Sequence, residues 1–357
     1  MNIGIIGLPQ VGKKTLFGLL VGQAALQRHT DPSKTARGVA PVQDPRLESL
    51  RRVYNPKKCT QARMEFLLPQ KIEEQSVTKG DIFRDLAEVD VFCHVVRGFV
   101  DDSVYHIWGS VDPVRDIDYV KSEFILHDLI FVEKRIEKLG KDLQKFKNEA
   151  LQKEKELLER LRDHLETERP LRLAEVSAQE EKTLRNYPLL SARKVLVVLN
   201  VSDEDISDTA RIAELNLRYA EVEIACVQIA AATESEIAAL DNDEERREFM
   251  SELGLAETAL HVLTRECIES LGLISFFTAS GDELRQWLVR RGSSVVEAAG
   301  KIHTDMARGF IRAEVIKYGD LIELGSEEKV KNAGRLAVKG RDYVVEDGDI
   351  LFIRFNV

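Results

Sequence analysis

Seven residues near the N-terminus, Gly7-Leu8-Pro9-Gln10-Val11-Gly12-Lys13, constrain this chain more than any other feature. They fit the pattern Gly-x-x-x-x-Gly-Lys. Ahead of them Ile3, Ile5 and Ile6 form a short apolar run with the character of a strand. Behind them Thr15 to Leu26, with Leu16, Leu19 and Leu20 on one face, reads as a helix. Glycines let the backbone curl with its amide groups pointing inward, and together with a helix N-terminus such a curl holds anionic phosphate. Lys13 would reach the β- and γ-phosphates of a nucleotide. Strand, glycine turn and helix in this order open a doubly wound α/β domain.

Four further runs, Met64–Leu68, Val89–Val96, Lys194–Asn200 and Val222–Ala230, are rich in β-branched and aromatic residues and extend the expectation to a parallel sheet. Residues 115–169 interrupt it. Ile125, Leu129, Val132, Ile136, Leu139, Leu143 and Phe146 recur at alternating spacings of four and three, a heptad seam, and Leu151, Leu158, Leu161 and Leu165 follow. Lys147-Asn148-Glu149 is placed to turn the chain, so an antiparallel helical hairpin is expected. Between Glu133 and Arg169 eleven basic residues face ten acidic ones, and Glu137→Lys141, Glu149→Lys153 and Glu156→Arg160 have the spacing of favourable pairs. Such alternation marks a solvated face, or an arm that presents itself to a large partner.

Beyond Ser275 the texture changes to short alternating runs at Phe310–Ile316, Arg335–Val338, Tyr343–Val345 and Ile350–Phe355, divided by Gly- and Asp-containing turns. A small mixed β domain with a helix near Ser293–Ala299 is expected. The division is then 1–275 and 276–357, with the hairpin inserted at 115–169.

Composition narrows the setting. A hydrophobic fraction of 44% across 357 residues is enough for packed cores and excludes a wholly disordered chain. No apolar run approaches the roughly 20 residues that span a bilayer, and Met1-Asn2-Ile3-Gly4 has no feature of a secretory signal. Cys59, Cys93, Cys226 and Cys267 are scattered singly, with neither a zinc pattern nor a disulfide framework. A reducing, cytoplasmic setting with no membrane partner is expected. The net charge of −10 speaks against a surface coated for DNA, although a local basic patch on an acidic whole remains compatible with RNA.

Gly-Leu-Pro-Gln-Val-Gly-Lys resembles the opening of the Obg-like ATPases, the YchF family of P-loop proteins. Val39–Leu47 is similar to that family's segment after switch I, and Asp101–Pro113 to the loop before its helical insertion. Phe277–Val357 resembles its C-terminal TGS domain, a ubiquitin-like β-grasp module. The resemblance implies a P-loop GTPase-like doubly wound sheet with an inserted helical hairpin (coiled coil) and a β-grasp domain. It implies a purine nucleotide ligand, ATP or GTP, weak hydrolysis, and association with the ribosome or another RNA-protein particle. Pro9, Gln10, Val11, Gly12, Lys13, Lys14 and Thr15 would line the phosphates. Asn200, Val201 and Asp203 stand where such proteins read the base. His106 falls on the histidine that orients the attacking water.

Against that pattern, this chain departs at the metal. The Mg²⁺-ligating Ser of the family falls on Lys14, which carries donors and no acceptor. The switch I Thr falls on Pro32, and the Asp and Gly of switch II fall on Leu68 and Lys71. Mg²⁺ binding is therefore expected to be weak or absent, with no metal-ligating residue assigned. Three functions stay open: a nucleotide-binding protein with little or no hydrolysis, a slow metal-poor ATPase or GTPase using His106, and a ribosome- or RNA-binding module that has lost its nucleotide. Val201 in place of the usual Lys, with Asp203 at the fourth position and Glu204 at the fifth, leaves ATP against GTP open.

Overall fold

The computed structural model describes residues 1–23, 26, 34–69, 86, 88–240 and 242–356. The strands in chain order are β1 (Asn2–Ile6), β2 (Ala36–Pro41), β3 (Lys58–Thr60), β4 (Arg63–Leu68), β5 (Val91–Arg97), β6 (Lys194–Asn200), β7 (Ile224–Ile229), β8 (Leu273–Ser280), β9 (Glu283–Arg290), β10 (Phe310–Ile316), β11 (Ala337–Lys339) and β12 (Ile350–Phe355). The helices are α1 (Lys13–Val21), α2 (Pro45–Tyr54), α3 (Pro113–Lys145), α4 (Glu149–Glu166), α5 (Ala178–Leu184), α6 (Ala210–Tyr219) and α7 (Ala231–Ala238). They continue with α8 (Asp243–Glu252), α9 (Ala259–Ser270), α10 (Val295–Ile302), α11 (Thr304–Arg308), α12 (Tyr318–Leu324) and α13 (Glu327–Asn332).

The chain forms two compact units, one of residues 1–40 and 65–262, the other of 41–64 and 263–357. This differs from the expected division at 275/276, since α2 and β3, from the first third of the sequence, belong with the C-terminal strands.

In the first unit the sheet order is β2-β4-β1-β5-β6-β7. β1 pairs in parallel with β4 and β5, β5 with β6, and β6 with β7. Every residue of β5 is buried, as are Val195 to Asn200 of β6, the near-continuous apolar pattern of strands covered on both faces. Strand order reverses at β1, so the crevice beyond its C-terminal end is the switch point where doubly wound sheets place their ligands. The loop 7–13 sits there. Its helix α1 breaks at Val21, where Gly22 adopts φ 89° and its amide closes on the Gly18 carbonyl at 2.9 Å, and Gln23 and Leu26 within the expected span are helical again.

The arm is formed by α3 and α4. Asp112 caps α3 by accepting from the Arg115 amide at 3.1 Å, with Pro113 at the first helical position. Asn148 caps α4 by accepting from Ala150 and Leu151 amides. Ile125, Val132, Leu139, Leu157, Leu158, Leu161 and Leu165 make the buried seam. At the root Asp128, fully buried, accepts from the Leu190 and Ser191 amides at 2.8 and 2.7 Å and from Ser191 Oγ at 2.7 Å. The Glu137–Lys141 and Glu149–Lys153 pairs form, both at 2.6 Å. Arg160 instead pairs with Glu180 of α5, and Phe146 leaves the seam.

In the second unit the sheet order is β11-β10-β12-β8-β9-β3. A β8–β9 hairpin, the crossover helix α10 and a parallel β8–β12 contact give the β-grasp arrangement. Val295, Ala298 and Ala299 of α10 pack on one face. The other face is covered by Leu47 and Leu50 of α2, Leu321 of α12 and Val330 of α13. β3 adds the sixth strand, parallel to β9. Tyr343–Val345, expected as a strand, contributes only an isolated bridge between Val344 and Ser294.

Candidate phosphate-loop site

Sterics dictate the loop. Gly7 has φ 143°, and a Cβ there would lie 2.2 Å from the Val95 carbonyl oxygen. Gly12 has φ 97°, and its Cβ would lie 2.3 Å from Asn200 Nδ2. No side chain fits either position. Gln10 between them takes φ 60° without being glycine, a conformation that concentrates at functional sites.

Lys13 folds back across the loop, donating from Nζ to the Gly7 carbonyl at 2.7 Å and to that of Leu8. Gly12 precedes α1 and offers no side-chain cap, and the first turn of α1 contains no acid. The amides that open α1 are therefore left to an external acceptor. Lys14, exposed, adds a second positive charge at this end.

Asn200 braces the loop from β6. Only 6% exposed, it donates from Nδ2 to the Val11 carbonyl at 3.0 Å and accepts at Oδ1 from the Ala231 amide at 3.0 Å. Val201 is buried and tied to β7 through the Ile229 carbonyl, whereas Asp203 is exposed. The structure thus brings Pro9, Gln10, Val11, Gly12, Lys13, Lys14 and Thr15 together as one loop-and-helix start, and fastens Asn200 to it.

His106 is held differently. Residues 99–105 wind around Arg97, whose guanidinium donates to the carbonyls of Phe99, Asp101, Val104 and Tyr105. His106 itself is buried. Its Nδ1 accepts from the Trp108 amide at 3.2 Å, which leaves the proton on Nε2, 3.2 Å from Asp116 Oδ2. One ring nitrogen is committed to the loop and the other to Asp116 in the first turn of α3.

His94, in the middle of β5, escaped the sequence analysis. It is 2% exposed and its Nε2 has no hydrogen-bond partner. Burial first, and the charge of Lys13 second, push its pKa down to about 3, so the ring is neutral. A histidine inside the run Val91-Phe92-Cys93-His94-Val95-Val96 was the available signal.

Mg²⁺ demands oxygen ligands. Lys14 has none, and Leu68, buried at the end of β4, has none. The residues at these two positions do not fit the ion. Pro32 and Lys71 lie outside the described residues.

A sheet whose strands β4, β1, β5, β6 and β7 run parallel, with a Gly-x-x-x-x-Gly-Lys loop at its switch point braced by an asparagine at the end of β6, defines a protein of the P-loop nucleotide-binding class. Residues 273–356 match the family model YchF-GTPase_C, described as a protein of unknown function (DUF933). Over full length the chain is 38% identical to the ribosome-binding ATPase YchF of Bacillus subtilis, covering 100% of both. It is 34% identical to the Obg-like ATPase 1 of Oryza sativa, covering 100% of this chain and 92% of that one. The solved structure of the Schizosaccharomyces pombe YchF GTPase superposes with a TM-score of 0.82 at 28% identity, covering 99% of this chain and 97% of that chain. The chain belongs to the YchF/Obg-like ATPase family.

Proposed function

We propose that this protein binds a purine nucleotide, ATP or GTP, at Gly7–Lys13 and Asn200, acts on the ribosome in the cytoplasm, and hydrolyses the nucleotide weakly or not at all. The observation that carries the reading is the start of α1. Two consecutive lysines, uncapped amides and no acid in the first turn stand at the positive end of a helix. Cations there are unfavourable by about 0.3–1 kcal/mol each, and a polyphosphate relieves the arrangement. The loop amides from Gln10 to Lys13 would cradle the β-phosphate and Lys13 Nζ would swing onto it, while Pro9, which has no N–H, only shapes the turn and Thr15 stays on the helix wall.

Lys14 would supply near the phosphates a charge that a metal supplies elsewhere. An ammonium neutralises but does not fix octahedral geometry, and phosphoryl transfer depends on positioning. Binding is thus retained while turnover suffers. His106, with both ring nitrogens occupied, lends less support to the slow-hydrolase reading. The rival in which nucleotide binding has been lost is disfavoured by the intact loop and its Asn200 brace. The relatives named ribosome-binding ATPases support the ribosomal partner, with α3–α4 as a coiled-coil arm and 276–357 as a TGS-type module. No helix among the described residues is long and apolar enough to cross a membrane.

Calorimetric titration with ATP and GTP, in Mg²⁺ and in EDTA, tests the proposal. Similar affinity in both buffers, with phosphate release near background even with ribosomes, is the expected result. Binding that appears only with Mg²⁺, or no binding at all, overturns it.

A further inference from the structure

The heptad seam of the arm should bury Phe146, three residues beyond Leu143, yet Phe146 is 69% exposed. α3 ends at Lys145, and Phe146 takes an extended conformation at φ −134°, ψ 120°. The turn is firmly built. The Phe146 amide closes on the Asp142 carbonyl at 3.0 Å, the Gln152 amide on that of Asn148 at 3.0 Å, and the Asn148 side chain caps α4. The ring therefore stands at the tip of an arm whose longer helix spans about 50 Å at the usual 1.5 Å per residue, on a backbone already ordered.

Lysines flank it directly on both sides, while the nearest carboxylates in the chain are Asp142, one turn back on α3, and Glu149 at the start of α4. Lys145 and Lys147 are exposed, and neither forms an ion pair among the described residues. The nearby carboxylates of Glu137 and Glu149 are neutralised by Lys141 and Lys153. Fold stability gives no reason for an exposed ring between two unpaired ammonium groups.

We propose that the arm tip is a contact site for single-stranded RNA, with Phe146 stacking on an unpaired base and Lys145 and Lys147 meeting the flanking phosphates. This rests on the reading that the chain acts on an RNA-containing particle, and names the surface that would touch it. Aromatic faces stack on splayed bases irrespective of sequence, and lysines supply the phosphate contacts. A membrane is the weaker occupant, because one buried ring falls far below the apolar area needed for stable anchoring. A protein groove is weaker too, since lysine is depleted from protein interfaces.

The test uses the full chain and a short single-stranded RNA carrying one 2-aminopurine, whose fluorescence falls on stacking. Expected are quenching by the wild type and by Phe146→Trp, and loss of quenching with at least about fivefold weaker binding for Phe146→Ala. Lys145→Ala with Lys147→Ala should lower the salt slope by about 1.4. Unchanged quenching in Phe146→Ala overturns the proposal, as does flotation with phosphatidylserine vesicles that Phe146→Ala abolishes. Ribosome cosedimentation in parallel separates the two levels. Wild type that sediments equally with Phe146→Ala sinks the tip and leaves the ribosomal reading standing. Wild type that does not sediment sinks the ribosomal reading, while stacking on the oligonucleotide still decides the tip.

Discussion

Asn200 and Val11, far apart in sequence, are joined by a 3.0 Å hydrogen bond from the asparagine amide to the loop carbonyl. The same side chain accepts from Ala231, so one buried residue ties the phosphate loop to the start of α7. Asn200→Ala leaves a buried carbonyl and a buried amide without partners, at about 1–3 kcal/mol each. Thermal unfolding should show a clear fall in Tm, and calorimetry at least about tenfold weaker nucleotide binding. A variant that binds as tightly as wild type would refute the brace.

Lys14 carries two opposed predictions. Lys14→Glu places an acid at the positive end of α1 and should stabilise the nucleotide-free protein by about 0.3–1 kcal/mol, while abolishing nucleotide affinity. Lys14→Ser offers a hydroxyl, so Mg²⁺ should now strengthen binding measurably relative to EDTA. Leu68 keeps an apolar side chain where a second oxygen is needed, so the gain should be partial. If Lys14→Glu binds nucleotide as well as wild type, Lys14 takes no part in neutralising phosphate.

The arm and the β10 and β12 strands could be read from sequence because their signals are local, a three-four repeat in one case and alternation bounded by Asp-Gly turns in the other. The phosphate loop was equally plain, since its pattern and its glycine conformations lie within seven residues. Three features are decided by side-chain partners or by a distant pairing that no hydrophobic period reports. Whether Phe146 closes the seam or leaves it depends on how the turn is capped. The ring nitrogens of His106 are claimed by Trp108 and Asp116 through a loop wound on Arg97. Residues 41–64 join the second unit by a strand pairing, Cys59 with Leu284, that spans most of the chain.

His106→Ala should leave nucleotide affinity within about twofold, because the ring is spent on fastening its loop to Asp116 of α3. Stability should fall by about 1–3 kcal/mol, the cost of an unsatisfied Trp108 amide and a lost partner for buried Asp116. Chemical denaturation measures the second effect. A selective loss of binding without loss of stability would contradict the assignment.

Glu234, 7% exposed, accepts from the Ala259 amide that opens α9, and burial raises its pKa from 4.5 to about 7. The folded chain therefore keeps a proton that the unfolded chain releases between pH 4.5 and pH 7. This group's contribution is full below pH 4.5 and is lost as the pH rises to 7, by roughly 3 kcal/mol in total. Glu234→Gln retains the accepting oxygen and cannot ionise. It should match wild type in urea denaturation at pH 4.5 and exceed it at pH 8, and a parallel dependence of the two proteins on pH would disprove the linkage.

The last prediction concerns the second unit, whose sheet is completed by residues 41–64. Leu47 and Leu50 of α2 cover Phe277, Leu284, Ile316 and Ile350. Arg46, 5.7 Å above the Phe277 ring, is clamped between Asp44 at 2.8 Å and Asp347 at 2.8 Å. A fragment of residues 263–357 lacks Asp44, Arg46, Leu47 and Leu50, and exposes an apolar face that includes Phe277, Leu284, Ile316 and Ile350. It should unfold with little cooperativity and bind the dye ANS, whereas the same fragment joined to residues 41–64 through a Gly/Ser linker should unfold in one transition. Arg46→Ala in the full chain should cost about 1–3 kcal/mol, the loss of charge-assisted hydrogen bonds that are only partly buried. Cooperative unfolding of 263–357 alone, at the temperature of the joined fragment, would show that the early segment is dispensable.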